Sequence, residues 1–159
     1  MGVREVKDFF KKNEHQMEIM EFEQSSATVN LAAAALNVGP DQIAKTIAFC
    51  LKKENMVVVM SGCAKLDNRK FKDTFKEKAK MIPADQLEEV TGHPVGGVCP
   101  FGLRKEIAVY LDESLKKHAY VFPAAGASNT AVCVKVDELE EITGGCWVKV
   151  CSDKGLDKL

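Results

Sequence analysis

The chain has 159 residues, and its 22 Lys plus Arg against 23 Asp plus Glu give a formal net charge of −1 at pH 7. Apolar residues make up 46% and charged residues 28% of the chain, as in a globular protein with its own core, so we expect a single domain over residues 1–159. This charge balance excludes a strongly basic protein that coats nucleic acid, and it excludes a chain dominated by an acidic disordered tail.

The apolar runs are short. Residues 31–36 and 56–60 are far below the ~20 residues that cross a bilayer, so no membrane span is expected. Residues 1–8 carry charges and lack the apolar core of a signal peptide, which predicts a cytoplasmic protein. The six cysteines are therefore expected to be free thiols, and since none lies in a Cys-x-x-Cys pair, we expect no metal site.

The first third of the chain predicts two helices with a strand between them. Apolar residues recur at helical spacing over residues 3–12, and a short strand is expected over 17–22. An Ala- and Leu-rich helix is predicted over 28–36, after two serines that can cap it and before an Asn-Val-Gly-Pro stop.

The middle of the chain predicts a hairpin followed by two helices. Residues 43–51 and 56–60 are β-rich runs joined by four polar residues, which is typical of an antiparallel hairpin. Asp67 or Asn68 can cap the first of the two helices, and Pro83 opens the second.

The rest of the chain predicts a loop and then a mostly β region. Residues 92–102 hold four glycines and two prolines, too many for regular structure. Strands are predicted over 107–111, 119–122, 131–136 and 146–150, with a short acidic helix over 137–142. Strands in hairpins with interspersed helices favour an α+β fold built on a mostly antiparallel sheet.

Lys45 is the first candidate for chemistry. If residues 43–51 are extended, Lys45 is the only charged side chain on a face that it shares with Ile43, Ile47 and Phe49. Its ammonium must either reach water along its stem or enter a cleft where a positive charge is useful.

The second candidate is the glycine-bearing part of the loop. Glycines allow main-chain N–H groups to approach a ligand closely and prolines fix the shape, so this loop is either a pocket rim for a carbonyl oxygen or an ordinary surface turn. It is neither a P-loop nor a Rossmann fingerprint. The residues concerned are Gly96, Gly97, Val98, Cys99, Pro100, Phe101 and Gly102.

Three further features stay open at this stage. Cys99 with His93 as its base would make a thiol hydrolase, or Cys99 is simply a small residue in a tight turn. The small residues between the predicted strands, Gly126, Ala127, Ser128 and Asn129 among them, form a turn or a second wall of the cleft. Residues 61–80 carry seven basic and three acidic side chains, and Arg69, Lys72 and Lys76 would form a phosphate-attracting helix face or a solvated one.

Taken together, these segments resemble the YbaK / prolyl-tRNA synthetase-associated (ProX-type) editing domain family. The resemblance rests on Lys45-Thr46 at a strand start, the Gly96 to Gly102 loop and the later Gly126 to Asn129 turn, and it covers nearly the whole chain. It implies a mixed α/β fold with a central, largely antiparallel, barrel-like sheet.

The same resemblance implies a free-standing enzyme that deacylates mischarged aminoacyl-tRNA, often tRNA(Pro) carrying Cys, Ala or another small amino acid. Lys45 matches the family's essential lysine, and Gly96 to Pro100 match its Gly-x-x-x-Pro loop, with Cys99 where many relatives have serine. Thr46, Phe101 and the Gly126 to Asn129 turn would complete the substrate pocket. The terminal ribose hydroxyl of the tRNA is expected to assist the attacking water.

The expected partners are the acceptor end of aminoacyl-tRNA and an aminoacyl-tRNA synthetase, with no cofactor, DNA or membrane involved. A non-catalytic module that binds aminoacyl-tRNA or an amino acid alongside a synthetase is the alternative. It would bind the same ligands without releasing free amino acid.

Overall fold

The computed structural model describes residues 2–104 and 106–152; the predicted domain 1–159 also includes residues 1, 105 and 153–159, which lie outside the described residues. Within the described ranges the helices are α1 (Val3–Lys12), α2 (Val29–Leu36), α3 (Asn68–Phe75), α4 (Ala84–Thr91) and α5 (Val136–Thr143). The strands are β1 (Ile19–Glu21), β2 (Ile43–Cys50), β3 (Asn55–Ser61), β4 (Ile107–Asp112), β5 (Tyr120–Pro123), β6 (Thr130–Val132), β7 (Val134–Lys135) and β8 (Cys146–Val148). Two 3-10 turns, Pro40–Gln42 and Glu113–Lys117, precede β2 and β5. No helix in this part of the chain is long and apolar enough to span a bilayer.

The strands form a curled six-stranded sheet in the order β7-β5-β2-β3-β4-β8 and a separate β1-β6 pair, which confirms the α+β class and the barrel-like curl. The predicted hairpin is the antiparallel β2–β3 pair, and β5–β7 and β1–β6 are also antiparallel. The pairs β2–β5, β3–β4 and β4–β8 are parallel. The sheet is therefore mixed, with more parallel pairing than the sequence predicts, because α3 and α4 form a long crossover between β3 and β4.

The core lies on both faces of this sheet. Met56, Val58 and Met60 of β3 pack with Phe71 of α3 on one face. Val59 packs with α1 and α5 on the other. A strand that is buried on both faces needs no polar side chains, which explains the uninterrupted apolar sequence of β3.

The helix starts follow the capping residues closely. Asp67 accepts hydrogen bonds from the amides of Arg69 and Lys70, both at 3.0 Å, so the predicted cap of α3 is confirmed. Helix α2 is capped by Thr28, whose hydroxyl accepts from the Leu31 amide at 3.1 Å, rather than by the two serines that precede it.

Candidate active site

Lys45 lies near the start of β2 and is half-buried. Its side chain leaves the sheet on the predicted face, towards the cluster that contains Phe49 and Ala64. The Nζ atom donates to the Ala64 carbonyl at 2.7 Å and to the Gly62 carbonyl at 3.2 Å. Both acceptors belong to the loop after β3, which the β2–β3 register places beside Lys45.

The surroundings of this ammonium disfavour its charge. Burial is the main cause of the lowered pKa of Lys45, and the neighbouring Lys65 lowers it further, while Cys151 and Cys63 act in the opposite direction. An ammonium has three N–H donors, and two of them are used by Gly62 and Ala64. One donor therefore remains for a ligand.

Lys45 lines a cleft of about 170 Å³. The cleft is shared by segments that are far apart in sequence: the start of β2, the glycine-bearing loop, the chain before α2 and the chain around β6. Its lining includes Lys45, Thr46, Gly96, Val98, Ser26, Ala27, Thr28, Ala124, Thr130 and Ala131. The structure thus brings Lys45 and Thr46 together with part of the predicted loop.

Thr46 adds a polar group to this cleft. Its Oγ1 atom is buried and has no hydrogen-bond partner within residues 2–104 and 106–152. An unsatisfied buried hydroxyl costs about 1–3 kcal/mol, so a ligand group that accepts or donates here would recover that free energy.

The two glycine-bearing loops contact each other directly. The Gly126 amide donates to the Gly97 carbonyl at 3.0 Å. A Cβ atom on Gly97 would lie 2.5 Å from the Ala127 nitrogen, so only glycine fits this contact. On its other side Gly126, at φ +98°, lies against the start of α1, where a Cβ atom would come within 2.4 Å of the Gly2 carbonyl carbon.

Several predicted binding residues support the cleft instead of lining it. Cys99, Pro100 and Phe101 are buried, and Phe101 packs against Phe10 of α1 with ring centroids 4.9 Å apart. The Gly97 amide donates to the Pro94 carbonyl at 2.9 Å and is not available to a ligand. Gly96 and Val98 are the members of this loop that reach the cleft.

The Gly126 to Asn129 turn also has a supporting role. The Ser128 carbonyl accepts from the Ser26 amide at 2.7 Å, and the Asn129 side chain donates to the Phe22 carbonyl at 2.9 Å. These bonds position the 22–28 segment, which forms one wall of the cleft. The turn therefore supports a wall of the cleft without lining the cleft itself.

The possible Cys99–His93 pair exists but is not suited to nucleophilic catalysis. The Cys99 Sγ and His93 Nε2 atoms are 3.7 Å apart, and both residues are fully buried. Burial raises the pKa of Cys99 to about 12 and lowers the pKa of His93. His93 Nε2 lies 2.6 Å from the Phe101 carbonyl, a distance that requires it to carry a proton and so prevents it from accepting one from the thiol.

The wall formed by Ser26, Ala27 and Thr28 was not predicted from the sequence, whereas Thr130, which also lines the cleft, belongs to the 124–130 segment that was predicted as a turn or a second wall. The Thr130 hydroxyl accepts from the amides of Ala125 and Ala127 at 3.1 and 3.2 Å and donates to the Ala127 carbonyl at 3.0 Å. The sequence signal that marks the 124–130 segment, small and polar residues between regular elements, is also present at residues 25–28.

The predicted basic helix face lies outside the cleft. Arg69, Lys72 and Lys76 are exposed on α3 and its C-terminal end. Helix α3 covers the same face of the sheet from which Lys45 projects, because Phe71 packs on Phe49 with ring centroids 4.8 Å apart.

Comparisons with known proteins find a matching family model and several similar chains. Residues 23–142 match the family model of the aminoacyl-tRNA editing domain. YwhH of Bacillus subtilis, an uncharacterized protein, is 41% identical over 155 residues, which cover 96% of this chain and 99% of YwhH.

Two further relatives carry descriptions of function. EbsC of Enterococcus faecalis, named as a proposed Cys-tRNA(Pro)/Cys-tRNA(Cys) deacylase, is 24% identical over 143 residues, or 86% of this chain and 87% of EbsC. A crystal structure described as a proposed trans-editing enzyme for prolyl-tRNA synthetase is 25% identical, with a TM-score of 0.88 over 95% of this chain and 97% of that one.

Proposed function

We propose that this chain, which belongs to the aminoacyl-tRNA editing domain family, is a trans-editing deacylase. It would hydrolyse the ester between a small amino acid and the 3′ end of a mischarged tRNA, with tRNA(Pro) carrying Cys or Ala as the first substrates to test. The observation that carries the proposal is that Lys45, whose ammonium donates to the Gly62 and Ala64 carbonyls, lines a small cleft.

The size of the cleft supports a small substrate group. Its volume of about 170 Å³ lies below the ~300–1,000 Å³ typical of drug-sized ligands. Ala124 and Ala131 contribute little side-chain bulk to the lining, whereas Val98, Leu87 and Phe122 add apolar bulk that would limit the size of the bound group.

Lys45 would act by stabilising negative charge. An aminoacyl ester is activated, so its hydrolysis needs a positioned water and a donor for the carbonyl oxygen more than it needs a covalent intermediate. The third N–H of Lys45 can donate to that oxygen as charge develops on it. Because the site is half-buried, the interaction is less screened than it would be in water.

The remaining polar groups would orient the ester. The buried hydroxyl of Thr46 is a partner for a substrate oxygen or amine. Because the Gly97 amide is already bonded to the Pro94 carbonyl, we expect the main-chain contact from the loop to the substrate to come from Val98, which lines the cleft. We assign the role of base to the terminal ribose hydroxyl of the tRNA itself. The proposal places the protein in the cytoplasm, where a synthetase that mischarges its tRNA would supply the substrate.

The test is the release of free amino acid from purified Cys-tRNA(Pro) and Ala-tRNA(Pro), with Pro-tRNA(Pro) as the control. The proposal predicts rapid release from at least one mischarged tRNA and slow release from the control. Saturable binding of these tRNAs without release would instead identify a non-catalytic binding module.

A further inference from the structure

A second surface of the molecule is strongly basic and lies away from the cleft. A groove of about 530 Å³ runs between the end of β2 and residues 76–80, and its charged lining consists of Lys52, Lys76, Lys78, Lys80 and Glu77. All four lysines are exposed. We call this surface the basic groove.

The groove is held in shape by main-chain contacts. The Cys50 amide donates to the Lys80 carbonyl at 2.8 Å, and the Ile82 amide donates to the Ala48 carbonyl at 3.0 Å, so residues 80–82 run along the end of β2. One carboxylate oxygen of Glu77 accepts from the Lys52 amide at 2.8 Å, and the other is buried. The single acid is therefore turned into the protein while the lysines face outwards.

Helix α3 connects this groove to the active-site cleft. Its N-terminal end follows the Ala64 carbonyl that binds Lys45, and its C-terminal end leads directly into residues 76–80. Arg69, Lys72 and Lys76 fall at i, i+3 and i+7, so they share the outward face of the helix. The groove begins about 17 Å from Lys45, measured as five residues of β2 at ~3.3 Å each.

We propose that the basic groove, together with the outward face of α3, binds the phosphate backbone of the tRNA acceptor arm while the 3′ end occupies the cleft. This inference rests on the proposed function. The exposed cations of the groove and of α3 outnumber Asp73, the exposed acid on the same helix face, so this surface attracts the row of phosphates that a nucleic-acid strand presents beyond its terminal nucleotide.

The experiment neutralises the three groove lysines that lie outside α3 and its C-cap. The variant Lys52→Gln/Lys78→Gln/Lys80→Gln is compared with wild type and with Lys7→Gln/Lys11→Gln/Lys12→Gln, which removes three exposed charges from α1 on the opposite face of the sheet. Each protein is assayed on full-length mischarged tRNA(Pro) and on the same amino acid esterified to adenosine, between 50 and 200 mM KCl.

The groove variant should lose at least about tenfold in kcat/KM on full-length tRNA at the lower salt concentrations. The slope of log(kcat/KM) against log[KCl] should become shallower by about 2, since each lost phosphate contact removes ~0.7–0.9. Hydrolysis of the adenosine ester should stay within about twofold of wild type. The α1 variant should resemble wild type on both substrates.

The outcomes separate the two proposals. If wild type releases no amino acid from any mischarged tRNA, the proposed function fails. If wild type is active but the groove and α1 variants behave alike on tRNA, the groove is not the binding surface. An equal loss on the adenosine ester would also overturn the inference, because it would show that the substitutions disturb the cleft itself.

Discussion

Replacing Lys45 with Met isolates the charge on which the proposed chemistry depends. Methionine keeps an unbranched, apolar stem of similar length, so packing against the cluster around Phe49 is largely preserved. What is lost is the N–H that would stabilise the developing oxyanion. Removing one such donor typically lowers kcat by about 10²–10³, or about 2.7–4 kcal/mol of transition-state stabilisation.

The same substitution should change the free energy of unfolding much less. The bonds to the Gly62 and Ala64 carbonyls are lost, and a hydrogen bond from a charged donor contributes ~1.5–3 kcal/mol. Against this, the desolvation of the ammonium, which is the main cause of its lowered pKa, is also removed. These effects oppose each other, so we expect a net change within about 2 kcal/mol.

The assay is single-turnover deacylation of mischarged tRNA combined with urea unfolding of each variant. Lys65→Met is the matched control, because Lys65 is an exposed lysine near the same ammonium and does not line the cleft. The reasoning is refuted if folded Lys45→Met retains activity within a few-fold of wild type. It is equally refuted if Lys65→Met loses as much activity as Lys45→Met.

Three further predictions follow from the site. Because burial lowers the pKa of Lys45, kcat/KM corrected for spontaneous ester hydrolysis should fall as pH rises through that pKa, whereas a rise in kcat/KM would make Lys45 a general base. Over the same pH interval the free energy of unfolding should increase, because the unfolded chain then binds a proton that the folded chain has lost, and Lys45→Met should lack that increase. Cys99→Ser should keep activity within about twofold and lose ~1 kcal/mol of stability in urea, because the buried thiol acts only in packing; abolished activity would restore the thiol-hydrolase hypothesis. Gly97→Ala should lower the urea midpoint by an amount equivalent to ~1–3 kcal/mol and reduce kcat/KM, since its Cβ atom would press on the Ala127 main chain; an unchanged midpoint would contradict the close packing of the two loops.

The sequence predicted local structure well wherever the determining residues are close together. Asp67 begins α3, the polar residues after β2 close the hairpin, and alternation correctly places Lys45 on one face with Phe49. Each of these features depends on interactions within a few residues or on a two-residue period. That information is present in the local sequence.

The composition of the cleft could be predicted only in part, because long-range packing determines it. Val98 and Phe101 lie three residues apart in one loop, yet Val98 reaches the cleft while Phe101 is buried against Phe10 of α1. The wall around Ala27 depends on bonds to the Ser128 carbonyl, about 100 residues away. These long-range contacts cannot be predicted from the spacing or the composition of the loops.

The close approach of Gly2 to Gly126 has a practical consequence for making the protein. Because the main chain at Gly2 lies against the turn that braces the glycine-bearing loop, any affinity tag fused ahead of it starts only a few ångströms from the scaffolding of the pocket. Residues added ahead of Gly2 should therefore be removed completely before kinetics are measured. Vector-derived residues left ahead of Gly2 would lower the measured kcat/KM by disturbing this contact, although the catalytic groups themselves are intact.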